Sequence, residues 1–219
     1  RGFFLYSEYF KLIKIVFNMS DTTLNMTEGN TTNLLLRFSA PLLIGNIFQQ
    51  LYNIVDSFIV GIFVGADALA AIGVTGPMSF FFFAICNGIG AGGGIVTSQS
   101  FGAGDTSPVK KCIKNVGYIM IVFPFIVGII AFIFSVPLLK LLDTPSEIFE
   151  DAKNYLKILS SGLVFVSIYN YVSSMLRALG DSKTTLYFLI FSCILNTILD
   201  ILFVKFLHMS GFGAGIATL

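Results

Sequence analysis

Two aspartates, Asp56 and Asp200, lie within long apolar segments of the sequence. A carboxylate in hydrocarbon is unfavourable unless it is paired, hydrated or protonated. We expect no basic partner for either acid within the membrane, so protonation, a bound cation or a water-filled cavity must stabilise them. Removal from water favours the neutral form of a carboxyl group and so favours the binding of a proton. The alternative is that polar neighbours satisfy each acid for packing alone.

The segment that contains Asp56 carries further polar side chains on the same helical face. Asn46, Gln49 and Asn53 precede the acid at steps of three and four residues, which is the spacing of neighbours along an α-helix. Tyr52 lies one turn before Asp56. We predict that Tyr52, Gln49 and Asn53 line a substrate cavity beside the acid.

Two other apolar segments carry polar stripes of the same kind. One stripe, Ser192 and Asn196, leads to Asp200. The other leads to Arg177 and consists of Ser167, Asn170, Ser173 and Ser174. Polar faces of apolar helices must meet one another or water. The stripes therefore predict a polar chamber inside one helix bundle. Packing of hydroxyl groups between helices would explain the serines equally well, but not the acids and asparagines.

The composition is that of a chain whose solvent is lipid. Of the 219 residues, 55% are hydrophobic and 11% are charged, and the mean hydropathy is +0.87; a soluble domain carries roughly 25% charged residues. A net charge of +1, without a basic stripe, gives no reason to expect nucleic acid. The three cysteines are too widely spaced to indicate a disulfide framework or a zinc site.

Five stretches are long and apolar enough to cross a membrane, which takes about 20 residues, and a sixth begins near the end. We predict an all-α polytopic membrane bundle with helices at about 36–64, 72–99, 113–139, 155–176, 185–206 and 211–219. Because the sixth stretch is only nine residues long, we interpret it as truncated and the sequence as a fragment.

The first 33 residues differ from the rest, residues 34–219, and form a separate amino-terminal tail. Translation is expected to start at Met19 or Met26, with the residues before Met19 being upstream sequence, although their apolar pattern could also form an interfacial helix.

The distribution of basic residues favours a multi-pass plasma-membrane protein with a cytoplasmic amino terminus. One set of loops and helix ends carries six basic residues and the other carries four, and cytoplasmic loops are enriched in lysine and arginine. The six are Arg37, Lys110, Lys111, Lys114, Arg177 and Lys183.

Prolines and glycines mark further features of the helices. Pro108 and Pro145 each follow a hydroxyl residue, a pattern that predicts the first residue of a helix. Pro41 shares the first helix with Asp56 and is predicted to bend it, as in transporters that alternate access. The G-x-G-x-x-G pattern of residues 88–93 follows no strand, so we interpret it as close helix packing rather than a dinucleotide site.

Four motifs, in order, resemble one transporter family. Residues 41–73 begin PLLIGNIFQQLYNIVDSFIVG, residues 98–105 read SQSFGAGD, residues 177–185 read RALGDSKTT, and residues 195–200 read LNTILD. Together, over about residues 34–219, they look like the amino-terminal lobe of the multidrug and toxic compound extrusion (MATE) antiporters.

The resemblance implies twelve helices in two related lobes, of which this sequence supplies one. It assigns a binding network for a proton or a sodium ion to the amino-terminal lobe, with sodium possible at the two acids and no other metal or cofactor. The matching residues are Asp56, Asp200, Asn196, Asn170 and Thr218; Tyr52 matches a cavity aromatic, and Pro41 matches the proline at which the first helix bends.

The residues and the resemblance together predict multidrug efflux, in which cationic amphipathic compounds are exchanged for protons or sodium ions. The expected partners are cationic drugs, the lipid bilayer and a missing carboxyl-terminal lobe, with no nucleic acid. A flippase of lipid-linked saccharides from the same superfamily is the alternative, although it would favour a basic cavity. No nucleophile with a neighbouring base stands out, so we do not expect an enzyme.

Overall fold

The computed structural model describes residues 23–24, 26–27, 29–207 and 209–219. The predicted upstream segment and the start at Met19 lie outside the described residues. The described part of the chain contains helices and no strand, which confirms the all-α class.

Seven α-helices and one π-helical segment make up most of the described chain. In order they are α1 Thr31–Phe63, α2 Ala66–Gly102, α3 Thr106–Ile133, α4 Ser135–Leu141, α5 Phe149–Ala178, α6 Ser182–Asp200 and α7 Ser210–Thr218. The π-helical segment, Ile201–Phe206, continues α6 without a break.

The first and third predicted helices begin earlier in the structure because side chains cap them. The Asn30 side chain accepts hydrogen bonds from the backbone of Thr32 and Asn33, at 3.1 and 3.3 Å, so α1 starts at Thr31. Asp105 caps α3 in the same way, by accepting from the backbone of Ser107. Such side-chain oxygens satisfy amide groups that have no partner within the helix.

The predicted role of two prolines as first helical residues is wrong. Pro108 is the third residue of α3, because the cap is Asp105 rather than the preceding serine. Pro145 precedes α5 by four residues, and the hydroxyl of Thr144 donates backwards to the Leu139 carbonyl at 2.8 Å.

The third predicted membrane segment, 113–139, is divided in the structure. Helix α3 ends at Ile133, and the short helix α4 follows after Phe134. Pro137 explains the break, since its ring lacks an amide hydrogen and would collide with the Ile133 carbonyl in a continuous helix.

Among the described residues, four helices are long and apolar enough to cross a membrane: α2, α3, α5, and α6 with its π-helical continuation. Helix α1 is not one of them, although its 33 residues correspond to about 50 Å. Its polar side chains, Asn46, Gln49, Gln50, Asn53 and Asp56, lower its hydropathy. Helix α1 nevertheless packs along α6 at Gly45, where an added Cβ would lie 2.9 Å from Leu189.

Helix α5 is the centre of the bundle. Half of its membrane span is buried, against 22% for α2 and 17% for α6, and it packs against α2, α3 and α7. Glycines permit the closest approaches: a Cβ on Gly128 of α3 would lie 2.5 Å from the Ser160 carbonyl oxygen of α5, and one on Gly93 of α2 would lie 2.6 Å from Val116 of α3. In the glycine-rich run, Gly90 and Gly93 thus serve helix packing, whereas an added Cβ on Gly88 would meet nothing within 4 Å.

We expect Gly128→Val to destabilise the bundle and Gly88→Val to leave it nearly unchanged. The first substitution forces a side chain against a backbone carbonyl, and overpacking of this kind costs about 1–3 kcal/mol; the second adds the same side chain to open space in another membrane helix. Thermal unfolding followed by size-exclusion chromatography in detergent compares the two. Equal melting temperatures would show that α3 and α5 do not pack as described.

Candidate functional site

The two membrane aspartates face each other from adjacent helices. Asp56 lies seven residues before the end of α1, and Asp200 is the last α-helical residue of α6. Asp200 is fully buried and Asp56 is half-buried. Their carboxyl groups are close enough for one to donate a hydrogen bond to the other when one of them carries a proton. The pair therefore forms one site rather than two.

Most polar atoms of this site have no hydrogen-bonding partner among the described residues. Oδ1 of Asp56, both carboxyl oxygens of Asp200 and both polar atoms of the Asn196 side chain are buried and unpaired. Asn196 lies one turn before Asp200 on α6. Unpaired buried groups are rare and costly in proteins, so a proton, a cation or water is needed to satisfy this cluster.

Lys157 and Lys205 lie within membrane-spanning helices, but their ammonium groups contact aromatic rings rather than the acid pair. The ammonium group of Lys205 lies 5.3 Å from the centre of the Phe63 ring, and that of Lys157 lies 5.2 Å from the centre of the Phe132 ring. Among the described residues, Lys153 forms a salt bridge with Glu150 at the start of α5.

Two tyrosines border the acid pair. Tyr52 of α1 lies near both carboxyl groups and close to Thr218 of α7, whose hydroxyl donates to the Ala214 carbonyl at 2.9 Å. Tyr155 of α5 is buried and lies near both acids and Tyr52. The sequence analysis did not select Tyr155, because this residue belongs to no polar stripe. Its position near the start of a mostly apolar helix was the one feature that could have indicated it.

Asn170 does not join the pair through a hydrogen bond in the described structure. Its amide nitrogen donates to the Val166 carbonyl of its own helix at 2.9 Å. The serines of the same stripe also serve packing: Ser167 donates to the Met120 carbonyl of α3 at 2.6 Å, and Ser174 accepts from Arg177 at 3.0 Å. Asp56 of the α1 stripe and Asp200 of the α6 stripe therefore meet, whereas Asn46, Gln49, Asn53 and Ser192 are exposed. Ser167 follows the packing alternative.

The predicted cavity residues of α1 are divided between two environments. Tyr52 points toward the acids, while Gln49 and Asn53 are exposed. Asn53 donates to Gln50 at 3.1 Å and lines an open groove of about 830 Å³ between α1 and the start of α2. Gln49 is not part of the lining of this groove.

The backbone of α6 changes geometry directly after Asp200. The π-helical segment Ile201–Phe206 begins there, and the Leu207 amide donates to the Leu202 carbonyl five residues earlier, at 3.0 Å. Val204 of this segment packs in a buried cluster with residues of α1, α2 and α7. Short π-helical turns are frequent at functional sites, and the sequence pattern gave no sign of this one.

The described part of the chain contains no group of three or more histidine, cysteine, aspartate or glutamate side chains that could hold a metal ion. Sodium binding at the two carboxylates, with Asn196 and Thr218, stays a prediction. Pro41 is the eleventh residue of α1; a bend at this position stays a prediction.

Comparison with known proteins relates the chain to transporters. The MatE family model matches residues 41–202. Probable multidrug resistance protein YpnP of Bacillus subtilis (strain 168) is 33% identical over 195 residues, which cover 89% of this chain and 44% of the relative. Multidrug export protein MepA of Staphylococcus aureus (strain MRSA252) is 27% identical, over 84% of this chain and 41% of its own length.

A solved structure shows the same helical arrangement. It is that of a MOP superfamily transporter from Pyrococcus furiosus, for which a reverse polarity of the binding pocket is reported to suggest a different function. It aligns with a TM-score of 0.84 at 25% identity and covers 88% of this chain and 42% of that chain. The chain thus spans less than half the length of the proteins that it matches.

Proposed function

Since the chain belongs to the MatE family, we propose that it is the amino-terminal lobe of a secondary active antiporter rather than an enzyme. This antiporter exports cationic amphipathic compounds in exchange for protons or sodium ions. The observation that carries the proposal is the buried carboxyl pair, Asp56 and Asp200, with its unpaired oxygen atoms.

The acid pair couples drug export to ion entry because it can balance only a limited amount of positive charge. Two neighbouring carboxylates disfavour each other's ionisation, so binding of a proton or a sodium ion relieves their repulsion. A cationic substrate near the pair is then held less strongly. This negative coupling is reciprocal, and ion loading on one side of the membrane therefore releases the substrate there, while ion loss on the other side restores the affinity.

The groove beside Asn53 is the candidate path for the substrate. Its volume of about 830 Å³ lies within the range of small-molecule sites. Its walls combine apolar side chains such as Ile54 and Phe58 with the polar groups of Asn53 and Ser57, which suits an amphipathic compound. The lining contains no lysine or arginine, whereas a flippase for lipid-linked pyrophosphates would favour basic residues.

We further propose that the amino terminus lies in the cytoplasm and that the protein resides in the plasma membrane. The Leu24 amide donates to the Gly180 carbonyl at 3.1 Å, so the segment before α1 lies at the same end of the bundle as the loop between α5 and α6. Lys183 and the lysines at the start of α3 are at the ends of helices on this side, and cytoplasmic ends of membrane proteins are rich in lysine.

The function is tested in everted vesicles from cells that produce the two-lobe protein containing this sequence. We expect uptake of a fluorescent cationic dye when a proton or a sodium gradient is imposed, and release of the dye when that gradient is collapsed with the matching ionophore. Vesicles without the protein are the control. Uptake that requires ATP and persists without either gradient would contradict the proposal.

A further inference from the structure

A second groove lies between α3 and α5, apart from the acid pair. Its volume is about 260 Å³. At its floor Gly128 brings the two helices together, since an added Cβ would lie 2.5 Å from the Ser160 carbonyl oxygen. Its walls include the exposed apolar side chains Phe125, Ile129 and Phe132 of α3.

The groove offers an apolar surface although two serines line it. The Ser160 hydroxyl donates to the Leu156 carbonyl at 2.6 Å, and the Ser161 hydroxyl donates to the Ile158 carbonyl at 2.7 Å. Both hydroxyl hydrogens are thus used within α5. A ligand that needs hydrogen bonds would gain few from these serines, whereas a hydrocarbon chain needs none.

A single lysine stands at the mouth of this groove. The ammonium group of Lys157 lies 5.2 Å from the centre of the Phe132 ring, which holds it beside the groove through a cation–π contact. Lys153, one turn before it, is paired with Glu150, whereas the described structure gives Lys157 no acidic partner. The charge at the mouth is therefore available to an anion.

The depth of Lys157 in the bilayer matches the position of a lipid phosphate. The 30 residues of α5 span about 45 Å, against a hydrocarbon core of about 30 Å. If the helix is centred, the Cα atom of its ninth residue, Lys157, lies about 5 Å inside the hydrocarbon. A lysine at this depth extends its side chain to the interface, where phosphate groups lie.

We propose that the groove between α3 and α5 binds one anionic phospholipid, with an acyl chain along Phe125 and Ile129 and the phosphate beside Lys157. The surface of α3 and α5 that forms this groove is suited to contact with lipid rather than with the second lobe of the transporter. Helix α3 packs against α2 and α5, whereas the polar surface that needs a protein or aqueous neighbour lies on α1.

The absence of tryptophan from the sequence allows a direct test. Phe125→Trp places a single reporter in the groove of the chain reconstituted in bilayers, and Phe191→Trp places one at an exposed site on α6. Brominated phosphatidylglycerol and brominated phosphatidylcholine are compared as quenchers. One lysine near anionic lipid is expected to enrich phosphatidylglycerol about fivefold at the groove reporter, with no preference at the α6 reporter.

Two variants separate the charge from the groove. Lys157→Gln should abolish the preference for phosphatidylglycerol, while the matched control Lys153→Gln should keep it. Ser161→Leu should fill the groove and reduce quenching of the Phe125→Trp reporter by both lipids. Circular dichroism and the α6 reporter verify folding. If a variant does not fold, the proposal is tested by comparing the two lipids with the Phe125→Trp and Phe191→Trp reporters in the otherwise unchanged chain.

Equal quenching by the two lipids at the groove reporter would show that the groove contacts bulk lipid without selecting an anionic one, which would overturn the proposal. A preference that survives Lys157→Gln would also overturn it. Quenching by neither lipid would show that protein covers the groove, with the same consequence.

Discussion

Asp200→Asn and Asp56→Asn should each reduce ion-coupled drug export to the level of cells without the transporter. Asparagine keeps the size of the side chain and its capacity for hydrogen bonds, but it cannot release a proton or supply a full negative charge to a cation. Because the two carboxyl groups form one buried site, the loss of either should remove the exchange. Drug resistance and dye efflux in cells that produce the two-lobe protein provide the measurement.

The same variants should remain folded, which separates a functional role from a structural one. The amide of asparagine can replace the hydrogen bond that a protonated Asp200 would share with Asp56, and the substitution removes one of two neighbouring acids. The melting temperature should therefore equal or exceed that of the parent protein. Asp67→Asn, at an exposed position in the first turn of α2, is the matched control and should export normally.

Wild-type efflux by either variant would show that the pair does not carry the coupling ion. Loss of export together with loss of the folded state would assign the pair a structural role instead. The conservative variants Asp200→Glu and Asp56→Glu add a further distinction, because an exchangeable carboxyl group should retain part of the pH or sodium dependence, whereas a packing role would not.

Asp56 and Asp200 could be selected from the sequence because the physical reason is local and general. An aspartate is costly wherever it lies in a membrane helix, and the spacing of Asn196 places it one turn before Asp200, where it is buried. The spacing of Asn53 was misleading, because its side chain is exposed in the groove beside α1. The helical class follows from the length and hydropathy of the apolar stretches. The boundaries were less accurate, since caps such as Asn30 and a break such as that before Pro137 depend on single residues.

Other features depend on contacts between helices, which spacing along one helix does not reveal. Ser167 and Asn170 look alike in a helical stripe, yet one donates across to α3 and the other to its own backbone. Tyr155 reaches the acids only because α5 packs against α6 and α7. The π-helical segment after Asp200 changes which residues face the bundle and leaves no mark in the hydrophobic pattern.

The residues of this sequence alone, reconstituted in liposomes, should give no ion-coupled uptake of a cationic dye. Alternating access in the proposed mechanism requires two bodies that close around a shared cleft, and the relatives are more than twice as long as the matched region. The surface of α1 supports the same expectation. Gln49, Gln50 and Asn53 are exposed beside an open groove, and polar side chains in contact with lipid are unfavourable.

Loss of transport by this chain must be distinguished from failure to fold. With the native cysteines replaced by serine, Asp56→Cys and Asp200→Cys place two thiols where the carboxyl groups meet, and oxidation should cross-link them even in the isolated chain. A pair at Asp105 and Asp200 is the control and should not react, because Asp105 precedes the start of α3 whereas Asp200 is the last residue of the 19-residue helix α6. The two-lobe protein that contains this sequence should transport under the same conditions. Dye uptake by the chain alone, above that of empty liposomes, would show that these helices form a complete transport path, and the polar face of α1 would then have to be covered by a second copy of the same chain.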